Sequence, residues 1–195
     1  MEGVALSAPT QKGRNSARSS KNVKKAAIVY WLIPAKPKRE LFSEIIRILA
    51  RQLDAARFEP HLTILAARQD REPPGKILRQ INVSPIRLKV RDISCSSKFA
   101  KTLFVRFEPN DALEKLVLDL ARVTKSRSKA ARDPHVSLLY KKLPTTTKKD
   151  LASTIKLPFR EVVFDSIQAV RCALPTRTRR EVEAWRVVAT KRLSG

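Results

Sequence analysis

The sequence predicts an α+β fold: a bilobal chain of duplicated antiparallel sheets about a pseudo-two-fold axis, with helices on the outside and a central cleft. Two observations carry this reading. Strand-like apolar runs are interrupted by amphipathic helical stripes, an order suited to hairpin-type neighbours rather than a doubly wound parallel sheet. That order then occurs twice, and both copies end in one six-residue pattern.

The first unit opens on residues 27–33 (AIVYWLI), which read as a buried strand halted by Pro34. Residues 38–55 place Leu41, Phe42, Ile45, Ile46, Ile48, Leu49 and Leu53 on one helical stripe, with Arg47, Arg51 and Gln52 largely opposite. The helix is expected to end near Arg57, and Pro60 opens a second strand, HLTILAA. In the second unit, residues 102–107 (TLFVRF) form the strand and Pro109 stops it. A helix over 110–123 turns Leu113, Leu116, Val117, Leu120 and Val123 inward, with Asn110 as its N-cap. A basic loop then leads to Pro134 and the strand HVSLLY.

The two units align closely. Pro34 to His61 spans 27 residues and Pro109 to His135 spans 26. Pro60-His61-Leu62-Thr63-Ile64-Leu65 matches Pro134-His135-Val136-Ser137-Leu138-Leu139 position by position. An internal duplication of this kind packs about a pseudo-two-fold axis. Outside the units, 74–81 reads as a short helix, 86–95 and 162–173 as long strands, 145–156 as a helix and 185–190 as a closing strand.

The 195 residues carry 41 Lys and Arg against 18 Asp and Glu, a net charge of +23. A Ser/Arg/Lys-rich segment, residues 1–26, is expected to be a disordered basic tail, yet residues 27–195 still carry +18. The folded part is therefore basic itself, which favours polyanions and phosphate-bearing ligands. No apolar run approaches the roughly 18 residues of a membrane helix, so no membrane partner is expected. Residues 1–26 lack the continuous apolar core of a secretory signal, and Cys95 and Cys172 do not make a disulfide framework. A cytoplasmic location is expected, with organelle targeting by the tail left open. With four glycines there is neither a Walker loop nor a dinucleotide fingerprint.

His61 and His135 are the only histidines, and both stand in the repeated motif. Side chains alternate along a strand, so His61 shares a face with Thr63, and His135 with Ser137, while the aliphatic residues seek the core. Symmetric packing would bring two imidazoles and two hydroxyls around one small volume. Opening a cyclic phosphodiester calls for that set. One imidazole takes a proton from the attacking water, the other protonates the departing ribose oxygen, and hydroxyls steady the non-bridging oxygens. The rival readings are weaker. A metal site wants three or four ligands, and the cysteines lie outside the motifs, so neither metal nor cofactor is expected. A serine hydrolase wants a nucleophile turn such as GxSxG, which is absent. Purely structural histidines do not explain a pattern present twice.

These paired motifs resemble those of the two-histidine phosphoesterases, which include 2′-5′ RNA ligase-like proteins and cyclic phosphodiesterases acting on ADP-ribose cyclic phosphate and 2′,3′-cyclic nucleotides. Phe58-Glu59-Pro60-His61-Leu62-Thr63, Pro134 to Tyr140, and Val29-Tyr30-Trp31-Leu32-Ile33-Pro34 are most similar to the plant-type cyclic phosphodiesterase branch. The resemblance spans roughly residues 27–190. It implies catalytic His61 and His135, phosphate-binding Thr63 and Ser137, and metal-independent hydrolysis to a monoester. Tyr140 matches a Tyr common in that branch and would shape the substrate pocket. Lys141 departs from a usual Gly, and would either favour a more anionic substrate or point to solvent.

The loop 122–132 (RVTKSRSKAAR) has five positive charges and no acid. Arg127 and Lys129 are therefore candidate contacts for further phosphates or an RNA 3′ end, with 176–180 (TRTRR) a weaker candidate. Trp31 is expected to be buried and Trp185 is left unplaced, so few aromatics stand ready to stack a base. The alternatives are an RNA end-processing protein of the 2′-5′ ligase type and a non-catalytic RNA-binding module. Oligomeric state is left open.

Overall fold

The computed structural model describes residues 25–68, 72–126 and 133–194. The expected tail thus lies outside the described residues, apart from its last two positions. Strand β1 (Lys25–Pro34) runs beyond the expected apolar stretch, and α1 (Lys38–Gln52) buries Phe42, Ile46, Leu49 and Ala50. That helix stops earlier than its apolar stripe, because Asp54 turns into the left-handed region at φ 46°. Strand β2 (Leu62–Arg68) completes the first unit. Strand β4 (Leu103–Phe107), helix α3 (Asp111–Val123) and strand β5 (His135–Leu139) form the second. Asn110 caps α3 as expected, its side chain accepting from the Leu113 N–H at 3.0 Å.

The connecting elements are α2 (Pro74–Arg79), β3 (Ile86–Cys95), α4 (Thr145–Thr154), β6 (Glu161–Leu174) and β7 (Arg186–Arg192). Two short elements have no counterpart in the sequence reading: a 3-10 turn over Phe99–Lys101 and α5 (Arg179–Glu183). Helix α5 is too short for apolar periodicity to reveal, though its capping box, Thr178 with Glu181, is a local signal.

All seven strands pair antiparallel, in the order β1-β2-β5-β4-β3-β6-β7, with β1 also pairing β6. The two expected sheets are therefore joined. At 14 residues β6 is long enough to serve both: its opening residues pair with β3, up to Ile86↔Phe164, and its remainder pairs with β1 and β7. On the other side the units meet at one pair, Leu62↔Val136, one position after each motif histidine.

The helices cover this sheet crosswise. Helix α1 lies against β5 of the second unit and α3 against β2 of the first. Leu62, Ile64, Val136 and Leu138 point to that helical side and join one core with Phe42, Leu113, Leu116 and Leu120. The alternation of each strand then sends the histidines and hydroxyls to the opposite face. There Val29, Trp31, Ile33, Val170 and Cys172 make a smaller apolar cluster, of which Val29, Trp31 and Cys172 line a cleft.

Candidate active site

His61 immediately precedes β2 and His135 begins β5. In both, the residue two places before is acidic and is followed by Pro, which biases its backbone away from the helical region. Each acid turns its main-chain carbonyl to the imidazole. The His61 Nδ1–H donates to the Glu59 carbonyl at 2.6 Å, and the His135 Nδ1–H to the Asp133 carbonyl at 2.8 Å. A carbonyl can only accept, so each neutral ring carries its proton on Nδ1 and keeps a lone pair on Nε2.

His61, Thr63, His135, Ser137 and Tyr140 all line one cleft of about 280 Å³. The register of each strand pair, β1 with β2 and β4 with β5, sets an aromatic ring beside its motif. Trp31 pairs with Thr63 and stacks on His61, centroids 3.7 Å apart and planes 13° from parallel. Phe104 pairs with Ser137 and meets His135 more obliquely, at 5.3 Å and 64°. Trp185 adds an edge against His61 at 5.7 Å, and Phe58 stacks on Tyr140 at 4.1 Å. Trp31 is buried as expected, yet its strand turns that ring to the cleft face, where it is engaged by His61 and joined by Trp185.

The two imidazoles differ in environment. His61 is buried under this aromatic cover, which pushes its pKa down to about 4; the Glu59 carbonyl opposes that shift, and charge on His135 adds to it. His135 is half-buried and also lowered. Burial is again the main cause, the Asp133 carbonyl opposing it, with the Lys101 ammonium lowering and the Asp133 carboxylate raising it. The Tyr140 hydroxyl lies 3.5 Å from His61 Nε2, a long contact in which the phenol donates to the lone pair. Burial pushes the Tyr140 pKa up to about 12, against the effect of the Ser137 hydroxyl, so the phenol stays a donor near neutrality. Thr63 is exposed at the rim, while Ser137 is buried with its hydroxyl 3.5 Å from the Ala100 carbonyl.

Other expected contributors fall elsewhere. Lys141 is partly exposed and does not line the cleft: its ammonium donates to the Leu53 carbonyl and, at 3.2 Å, to that of Asp54, capping the end of α1. Arg127 and Lys129 lie outside the described residues. Of 176–180, Thr176 lines the cleft, whereas Arg179 is engaged by Asp54 at 2.6 Å and Glu183 at 2.7 Å. Cys172 also lines the cleft, its thiol pushed up to about 11 by burial and so poorly suited to nucleophilic work. Sequence reasoning missed Trp31 and Trp185 as cleft residues, Phe58 as a ring packed behind Tyr140, and Glu59 and Asp133 as the groups that orient the histidines. The acids carried a signal, since each motif has one two residues before its His.

The fold and the paired motifs are those of the two-histidine phosphoesterases. A sequence model of that class described as "Cyclic phosphodiesterase-like protein" matches residues 26–193, and the chain belongs to this family. Among solved structures, LigT of E. coli complexed with 3′-AMP is similar at a TM-score of 0.53 and 15% identity, over 89% of this chain and 100% of that one. The protein TT0787 of Thermus thermophilus matches at 0.53 and 16%, over 87% of this chain and 98% of the other. At such identities these two likenesses concern the fold. A search of curated protein sequences finds no significant match. Among the described residues no helix is long and apolar enough to cross a membrane.

Proposed function

We propose that the protein hydrolyses a cyclic phosphodiester on a ribose, a 2′,3′-cyclic nucleotide or ADP-ribose 1″,2″-cyclic phosphate, to a phosphomonoester. The observation that carries this reading is two imidazoles in one cleft, each with Nδ1 tied to a carbonyl and a lone pair on Nε2. Water attacks phosphorus and loses its proton to one Nε2, while the other ring, protonated, gives its proton to the ribose oxygen as the P–O bond breaks. His61, whose buried ring resists protonation, suits the base; His135, nearer solvent, suits the acid. The Thr63 and Ser137 hydroxyls donate to the non-bridging oxygens, where charge accumulates. No step calls on a metal.

The cleft lies at the small end of ligand pockets, which run to about 300–1,000 Å³. It suits a ribose phosphate held inside, with the rest of the nucleotide toward the mouth. LigT, whose fold is similar, was crystallised with 3′-AMP, a ribose monophosphate of the kind such a reaction releases. The net charge of +23 favours a second reading, in which the cyclic phosphate ends an RNA strand and Arg127 and Lys129 gather neighbouring phosphates. On that reading charge reversal at these two positions raises KM for RNA ends more than for mononucleotides.

The deciding experiment incubates the protein with 2′,3′-cyclic AMP in EDTA and resolves the products. Hydrolysis lost in both His61→Ala and His135→Ala supports the two-histidine reaction. Salt-sensitive RNA affinity with no turnover of any cyclic phosphate would instead favour a binding module on this fold.

A further inference from the structure

The carbonyls that orient the two histidines belong to residues whose own side chains are held by cations. Arg39, in the first turn of α1, donates from Nε to the Glu59 carboxylate at 2.6 Å. Lys101, ending the 3-10 turn before β4, donates to the Asp133 carboxylate and rests over the Phe104 ring at 4.3 Å from its centroid. Each histidine is thus preceded by one chain of contacts: cation, carboxylate, the same residue's carbonyl, and the imidazole Nδ1–H. We propose that Arg39 and Lys101 are positioning residues, which hold Glu59 and Asp133 so that both rings keep the proton on Nδ1 and the lone pair on Nε2. This inference rests on the two-histidine reading of the site and deepens it.

Descent from a duplicated unit does not account for the arrangement. Arg39 stands five residues beyond Pro34, and the position five beyond Pro109 is Glu114, an exposed acid. The second unit draws its cation from before its first strand, the first unit from after it. Two non-equivalent elements therefore supply the same contact to equivalent acids, which points to a shared requirement of the two motifs. Stability is a poor candidate for that requirement. Arg39 and Glu59 are about one-third exposed, at 36% and 34%; in the other pair Lys101 is more covered, at 19%, but Asp133 is 48% exposed, and ion pairs that reach water in this way add little to folding.

Geometry explains what they can add. Pro60 and Pro134 restrict the backbone of Glu59 and Asp133, but they leave rotation of the peptide plane within the extended region. Anchoring the carboxylate at one end and the proline at the other leaves the carbonyl between them little freedom. If that carbonyl swings away, the imidazole can also place its proton on Nε2, and a ring in that tautomer cannot accept a proton from water there.

The test reads the tautomers directly, by long-range proton–nitrogen NMR of the two imidazoles at about pH 8, where both rings are neutral. The wild type should show Nδ1–H at both rings. Arg39→Ala should give a mixture at His61 and leave His135 unchanged, and Lys101→Ala should do the reverse. Arg39→Lys and Lys101→Arg should restore the wild-type pattern. If Ala unfolds the chain, Arg39→Gln and Lys101→Gln, which keep side-chain length, give the same reading. On 2′,3′-cyclic AMP the loss should appear in kcat rather than KM, about tenfold for either variant. Unchanged tautomers in both variants would overturn the proposal. Because the spectra need no turnover, tautomers that shift in a protein hydrolysing no cyclic phosphate would sink the reaction while sparing the positioning role.

Discussion

Trp31 lies flat on the imidazole of His61, ring centroids 3.7 Å apart, and thereby removes one face of that ring from water. A charged imidazole loses more from this than a neutral one, so the ring adds to the burial that pushes the His61 pKa down to about 4.

Replacing Trp31 by Leu should return water to that face and raise the His61 pKa toward 6.5. The acid limb of kcat/KM should move up with it, and the change of a large buried ring should cost about 3 kcal/mol of stability. A pH series of initial rates beside a denaturant titration measures both; an unmoved limb would separate the stacking from the pKa.

In the wild type, a base lowered to about 4 and an acid lowered below 6.5 bracket the working range of the free enzyme. A bell-shaped kcat/KM for 2′,3′-cyclic AMP should therefore peak on the acid side of neutral. A maximum above pH 7 would mean that these environments do not govern the reaction.

Burial of neutral His61 also couples folding to pH. Its folded pKa lies below the unfolded value near 6.5, so the unfolded chain binds the extra proton as pH falls. Stability from this group is fully present above 6.5 and is lost progressively as pH falls toward about 4. Between pH 7 and pH 5 the wild type should lose about 2 kcal/mol more than His61→Gln. Parallel urea titrations at the two pH values read the difference, which subtracts the carboxylates common to both proteins.

Tyr140→Phe should lower kcat about three- to tenfold, the worth of one hydrogen bond, because only a hydroxyl is lost near His61 Nε2 and Ser137. KM should change little. An unaffected kcat would reduce Tyr140 to a wall of the pocket.

Lys141→Met should lower stability by about 1–2 kcal/mol by uncovering the Leu53 and Asp54 carbonyls just past α1, with kinetics unchanged. A raised KM with intact stability would instead return Lys141 to the substrate side.

The sequence alone determined most elements of the fold and the position of both motifs. Periodicity is a local property: the stripe of α1, the Asn110 cap and the alternation around His61 and His135 depend on neighbours a few residues away. The duplication was legible for the same reason, as a pattern met twice. What sits beside each histidine was decided only by tertiary structure. Strand register sets Trp31 against Thr63 and Phe104 against Ser137, and register depends on pairing across long stretches of chain. Trp185 reaches His61 from far along the sequence, and Lys141 finds the carbonyls just past α1 because that helix crosses onto β5 rather than staying with its own unit. Such contacts leave no periodic trace. The difference between two imidazoles in identical motifs therefore arises from burial, which the fold as a whole creates.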